Sequence, residues 1–174
     1  MVDIVVTSLS SPKSKPLEHF SEFCVKYECN IVNSHMLRLG DEILFYGLIS
    51  GNWDAIAKLE TSLQNLETKD FSVIYKRTEP TKIESNTIPY SVQIFSKDSP
   101  EIVFEVVKFF NELKTEIVAW RTFSYTVSNS STPLHMIYCQ VNVPDDFIIG
   151  DLRDQFLEFC DEMNYDGVIE PEKP

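Results

Sequence analysis

The chain has 174 residues, with 27 Asp plus Glu against 15 Lys plus Arg and a formal net charge of −12. An apolar share of 43%, with 12 Phe, 7 Tyr and 2 Trp, supports a real core and excludes a disordered chain; the length fits one ordinary domain or two small ones. Phosphate binding needs clustered cations, so this balance excludes a nucleic-acid-binding surface spread over the whole protein.

Val2 to Ser8 is a β-branched run that reads as a first strand, and Leu9 to Lys15, with Pro12, as a loop. Leu17, Phe20, Cys24 and Tyr27 then recur at helical spacing. Pro16 and Pro12 both suit a first helical position, so two starts stand open. Asn30 to Leu39 and Ile43 to Ser50 read as two strands joined by Gly40-Asp41, a hairpin signal because Gly takes positive φ without steric cost. The second of these strands is apolar on both faces: Ile43, Phe45 and Ile49 alternate with Leu44, Tyr46 and Leu48. Such a strand requires cover on both sides. Asn52 is a good N-cap for a second helix whose stripe is Ile56, Leu59, Leu63 and Leu66, with Trp53 read as a hydrophobic anchor at its start. Phe71 to Tyr75 is a fourth strand.

Arg77 to Thr87 is polar, carries Pro80 and has no apolar period, so it reads as a linker. The same order of elements then returns. Tyr90 to Phe95 is a strand, and Ser99 and Pro100 fit the N-cap and first position of a helix with the stripe Ile102, Val106, Phe109 and Leu113. Glu116 to Thr126 and Leu134 to Val143 are strands joined by a turn over Val127 to Pro133. Phe147 to Met163 holds a helix with Leu152, Phe156, Phe159 and Met163 in phase, and Tyr165 to Glu170 is a weak last strand.

The two halves form an internal repeat. Ser11-Pro12 and Ser99-Pro100 lie 88 positions apart, and Ile31-Val32 and Ile117-Val118 lie 86 apart. The fold expected is α+β: two tandem ferredoxin-like βαββαβ units with antiparallel sheets, over residues 1–78 and 89–174, joined by a linker at 79–88. The open sheet faces and edges call for cover by the other half or by another chain.

Sites read from residue types are few. Asp98 and Ser99 fit a helix cap and its dipole, and Asp98 also fits a ligand's ammonium group. Asn30 suits either a ligand contact or the satisfaction of its own strand end. His19, Cys24 and Cys29 match no metal-ligand spacing. Lys13, Lys15, Lys69, Lys76 and Arg77 are the cations available to a local basic patch, and a solvated face is the plainer reading. No Gly-rich phosphate loop, nucleophile elbow or HExxH is present, so no catalytic residue, metal or cofactor is expected. Met1 to Val6 has no basic or long apolar segment of a signal peptide, and no apolar run reaches the roughly 20 residues that span a bilayer. A cytoplasmic protein with four reduced cysteines is expected, with no membrane contact.

Cys29-Asn30-Ile31, Leu39-Gly40-Asp41-Glu42 and Leu48-Ile49-Ser50-Gly51-Asn52-Trp53 resemble, in content and order, the tandem ACT-domain family of the glycine cleavage system transcriptional repressor. Asp98-Ser99-Pro100 and Arg121-Thr122 are similar to it as well. The resemblance implies two ACT domains in a non-enzymatic regulator. It implies action through a protein partner, a transcriptional activator, rather than by direct contact with nucleic acid, with a small amino acid such as glycine as signal and homo-oligomers in prospect. It places the ligand between paired units, on the loop after the first strand and the start of the second. The implied ligand residues are Ser11, Pro12, Asp98, Ser99, Pro100 and Asn30. The usual loop pattern is Asp-x-Pro-Gly; here Glu101 stands for the Gly after Pro100, and Ser10-Ser11-Pro12-Lys13 has neither Asp nor Gly. A side chain at that Gly position keeps the backbone farther from a ligand. An amino-acid-binding module that controls a metabolic enzyme is the alternative reading, and an enzyme of ferredoxin-like fold a third.

Overall fold

The computed structural model of the chain describes residues 1–66, 68–79, 86–97, 99–126 and 133–172. Asp98 and most of the expected 127–133 turn lie outside the described residues. The chain divides into two compact units, Met1–Lys82 and Ile83–Pro174.

In the first unit β1 (Val2–Ser10), α1 (Pro16–Tyr27), β2 (Asn30–Leu39), β3 (Glu42–Gly51), α2 (Trp53–Leu66) and β4 (Phe71–Thr78) follow one another, with a short 3-10 turn at Pro12–Ser14. The sheet order is β2-β3-β1-β4, antiparallel throughout. The second unit repeats it with β5 (Thr87–Lys97), α3 (Ile102–Glu112), β6 (Glu116–Thr126), β7 (Pro133–Pro144), α4 (Ile149–Met163) and β8 (Asp166–Pro171), in the order β6-β7-β5-β8.

Strand alternation builds each core. Ile4 and Val6 of β1 and Phe45 and Ile49 of β3 point at the helices, where Phe20, Cys24, Ile56, Leu59 and Leu63 meet them. In the second unit Val92, Ile94, Ile137, Cys139 and Val141 meet Ile102, Val106, Phe110, Leu152 and Phe156. Each such side chain taken from water contributes about 1.5–3 kcal/mol before the entropy of ordering is subtracted.

The repeat extends to irregular features. Both units carry a β-bulge at the same place, between Ile31 and Asn33 and between Ile117 and Ala119, so Val32 and Val118 are the extra residues. Both first helices of a unit end alike. Glu28 and Lys114 take left-handed φ of 57° and 56°, and the next N–H bonds back five residues, Cys29 to Cys24 at 2.9 Å and Thr115 to Phe110 at 3.1 Å. At the hairpin, Gly40 has φ of +61° and Leu39 pairs with Glu42, a two-residue loop.

Four local expectations are corrected. The regular part of α3 begins at Ile102, because Ser99 to Glu101 form a turn in which the Ile102 N–H reaches the Ser99 carbonyl, at 3.3 Å. Ser99 is therefore not the N-cap of the regular helix. Leu17 is 44% exposed, since the buried face of α1 starts from Pro16 and continues through Phe20 and Cys24. β4 runs on to Thr78, so Arg77 belongs to a strand and not to a linker. Trp53 is 66% exposed and anchors no core; the Arg77 guanidinium lies over its ring at 5.5 Å from the centroid.

Helices cover one face of each sheet, and the strand register assigns the residues of the other. On the first sheet one row across the open face is His35, Tyr46, Thr7 and Ile74. The next row on one side is Leu37, Leu44, Leu9 and Ser72, and on the other Asn33, Leu48, Val5 and Lys76. These twelve positions include no carboxylate; Asp3 and Glu42 stand in the rows beyond the two ends. The open face of the second sheet includes Phe95, Phe123, Met136 and Tyr138, but also Arg121, Asp166 and Glu170. Among the described residues no helix is long and apolar enough to cross a membrane.

Candidate functional site

The two turns that follow the first strand of each unit hold most of the expected ligand residues. Ser11 leaves β1 with its N–H bonded to the Asp70 carbonyl at 3.1 Å. Its Oγ lies 3.0 Å from the Ser14 Oγ, and the Ser14 hydroxyl also donates to the Asp70 carbonyl at 3.4 Å. Pro12 opens the 3-10 turn and is exposed. The turn is thus tied to the loop between α2 and β4. Lys15 ends it in the left-handed region, φ 46°, and pairs with Glu18 at 2.8 Å, which holds the Glu18 carboxyl below its ordinary pKa by hydrogen bond and charge. No side chain caps the N-terminus of α1. Pro16 has no N–H, and the Glu18 and His19 N–H groups turn to the Lys15 carbonyl at 3.1 and 3.4 Å, which leaves the Leu17 N–H for water or a ligand.

In the second unit Ser99 is half-buried and Pro100 exposed. The Ser99 Oγ accepts from the Glu101 N–H and donates to the Glu101 carboxylate, both at 3.4 Å, long for such bonds. No side-chain cap is found on α3 among the described residues. By contrast α2 is closed: the Asn52 Oδ1 accepts the Ala55 N–H at 2.8 Å.

Asn30 stands apart from these turns. It opens β2, is exposed, and faces Ser50, which pairs in turn with Asp3. Ser10, the neighbour of Ser11, pairs with Ile43 and Phe71 at the other end of the same strand. Eight residues, Asp3 to Ser11, at about 3.3 Å each put Asn30 and Ser11 roughly 26 Å apart along the sheet. One unit by itself does not bring the two together.

A polar cleft of about 270 Å³ lies between the end of α1 and the start of α2, lined by Lys26, Glu28, Asn52, Asp54 and Lys58. In it Lys58 pairs with Asp54 at 2.5 Å, and the Tyr27 hydroxyl meets the Ser62 Oγ at 2.7 Å. Burial pushes the Cys24 and Cys160 thiols up to about 11 and Cys139 up to about 12, and raises half-buried Cys29 as well, which disfavours the nucleophilic thiolate at each.

Sequence reasoning missed one buried polar residue and its partner on the next strand. His135, 9% exposed, lies on the helix side of β7, and its Nδ1 is 2.9 Å from the Ser124 Oγ on β6. The signal was present: His135, Ile137, Cys139, Val141 and Val143 share one face by strict alternation. The residue matched to it by register in the first unit is Ile43, which is half-buried.

Comparison with known proteins matches residues 17–73, within the first unit, to the family model of the ACT domain. The glycine cleavage system transcriptional repressor of Escherichia coli K12 is 23% identical over 167 residues, 95% of this chain and 88% of the relative; that of Shigella flexneri matches equally. A crystal structure of an unknown protein from Galdieria sulphuraria superposes with a TM-score of 0.78 at 19% identity, covering 99% of both chains. Another, provisionally described as a glycine cleavage system transcriptional repressor, gives 0.72 at 21% identity and covers 99% of this chain and 98% of that one. At such identities these structures establish the shared fold of both units.

Proposed function

We propose that this chain, built of two tandem ferredoxin-like units of which the first matches the ACT-domain model, and similar over nearly its whole length to a transcriptional repressor, is a non-enzymatic regulator that works by binding a protein. The partner proposed is a transcriptional activator of glycine cleavage genes, and the signal a small amino acid such as glycine. The observation that carries this reading is the likeness to the repressor across both units, 95% of the chain, rather than across one ACT domain alone. A net charge of −12 supports a protein partner over nucleic acid, because a protein with few cations releases few counterions from a phosphate backbone.

For the ligand we propose the two turns, Ser11-Pro12 and Asp98-Ser99-Pro100, together with Asn30. The helix starts behind the turns offer N–H groups to a carboxylate, and the Ser11 and Ser99 hydroxyls stand beside them. An ammonium group needs an acceptor, which Asp98 and the Asn30 side-chain carbonyl supply. The roughly 26 Å between Asn30 and Ser11 along one sheet is more than a small amino acid spans.

The test is a thermal-shift screen over the twenty amino acids, glycine and serine first. A ligand bound to the folded state alone, at a hundred times its Kd, stabilises by about 2.7 kcal/mol. For a chain of this length that is a rise of about 5–10 °C. Loss of the rise in the Asn30→Ala, Ser99→Ala double variant is expected. No rise with any amino acid at millimolar concentration would remove the ligand from the account and leave the protein partner.

A further inference from the structure

We propose that Cys24 and Cys29 form a modification site, a pair of thiols that closes into a reversible disulfide by exchange with a low-molecular-weight disulfide. The end of α1 brings the two positions together. Glu28 is left-handed, its N–H turns to the Val25 carbonyl at 3.4 Å, and the Cys29 N–H reaches the Cys24 carbonyl at 2.9 Å. In a helix ending of this kind the side chains at these two positions meet. Standard backbone lengths on either side of the 2.9 Å bond leave the two Cα atoms no more than about 6.8 Å apart. Disulfides span Cα separations of about 4.4–6.8 Å. Both side chains also turn into one core: Cys24 is buried within it, and half-buried Cys29 packs against it. The second unit supplies a contrast. Its α3 ends with the same backbone, but Phe110 and Thr115 stand at the two positions, and the Thr115 hydroxyl donates to the Phe110 carbonyl at 2.9 Å. Cys139 lies on β7 and Cys160 on α4, with no such turn between them.

The chemistry balances in two exchanges. The thiolate of Cys29, the more open of the pair, attacks one sulfur of the small disulfide. That S–S bond breaks, and its other half leaves as a thiolate and takes a proton. The thiolate of Cys24 then attacks the Cys29 sulfur and expels the second small thiol. Two protein thiols are oxidised, and one small disulfide is reduced to two thiols. Burial, and for Cys24 the charge of Cys29 as well, holds both thiols above their ordinary pKa. Exchange is therefore slow, and the pair answers a sustained oxidising shift rather than a brief one. The bond ties the last turn of α1 to the residue directly before β2. This inference stands independently of the amino-acid signal and of the transcriptional partner.

Oxidised glutathione, in excess over reduced and applied to the pure, folded, full-length chain, is the probe, read by thiol counting and by peptide mapping in a mass spectrometer. The expected product has lost two of its four free thiols and carries a Cys24–Cys29 link. It is about 2 Da lighter than the reduced chain, keeps its far-UV CD spectrum and regains all its thiols in dithiothreitol. Cys24→Ala is expected to stop at a glutathione adduct on Cys29. Should that variant lose its fold, Cys29→Ser, at the less buried position, is expected to keep all its remaining thiols. Cys160→Ala should form the link as the wild type does. A wild type that keeps all its thiols, one that stops at the glutathione adduct, a link that includes Cys139 or Cys160, or a link that forms only in denaturant would each overturn the proposal.

Discussion

The two units share topology, bulge position and helix-ending geometry, yet they secure the outer strand beside β1 or β5 by opposite means. In the first unit β4 is clipped to α2 by polar side chains. Arg77 forms a fork onto Glu60 at 2.8 and 2.7 Å while lying over Trp53, and the Tyr75 hydroxyl accepts from Gln64 at 2.8 Å. In the second unit β8 is secured by close approach. A Cβ added at Gly167 would stand 2.5 Å from the Cys160 Sγ and 2.8 Å from the Phe156 ring, so α4 lies directly on the strand backbone. One fold thus tolerates a charged clip or a bare backbone at the same topological place. The first leaves its stability open to pH, the second to any added side chain.

The difference can be broken from either side. The largest effect is expected at the aromatic stack of the first core. Phe45→Ala removes a fully buried ring and should cost about 3–5 kcal/mol, moving the melting of the first unit and leaving that of the second. Calorimetry that resolves two transitions checks it; equal movement of both would show the units to be one cooperative body. Next comes Gly167→Ala, which drives a methyl against Cys160 and Phe156 and should destabilise the second unit by about 1–3 kcal/mol. A variant as stable as wild type would mean that α4 shifts without cost.

The smallest effect belongs to the clip and is defined by its pH dependence. The hydrogen bond and charge of Arg77 hold the Glu60 carboxyl below its ordinary pKa, so the folded state binds that proton less readily than the unfolded chain does. The clip's contribution is therefore present above the unfolded carboxyl pKa of about 4.3 and is lost as pH falls through the lower folded value. Arg77→Met should lower the first transition at neutral pH and leave it near wild type at strongly acid pH. A deficit that is the same at both would assign the loss to packing on Trp53 instead.

The comparison also explains what could be read in the chain and what could not. Gly40-Asp41, the Asn52 cap and the stripe of α2 were legible because each acts on residues within one turn of itself. The repeat was legible because Ile31 and Ile117 keep their spacing and neighbours. Arg77 was misread as linker, since its partner Glu60 is 17 positions away and belongs to another element. Gly167 gave no signal at all, because what it permits is the proximity of α4, a tertiary fact. Of the candidate site, the turns at Ser11 and Ser99 could be read from their Pro neighbours. The separation of Asn30 from Ser11 could not, as it depends on the register of β1 on β3.

The central claim is that this chain reaches genes through a protein. An electrophoretic mobility assay on glycine cleavage control DNA tests it most directly, with the activator of those genes from the same genome present or absent. The account predicts that the chain alone leaves the DNA unshifted at physiological salt, and that it alters the mobility of the activator–DNA complex. A discrete, sequence-specific shift by the chain alone would contradict it.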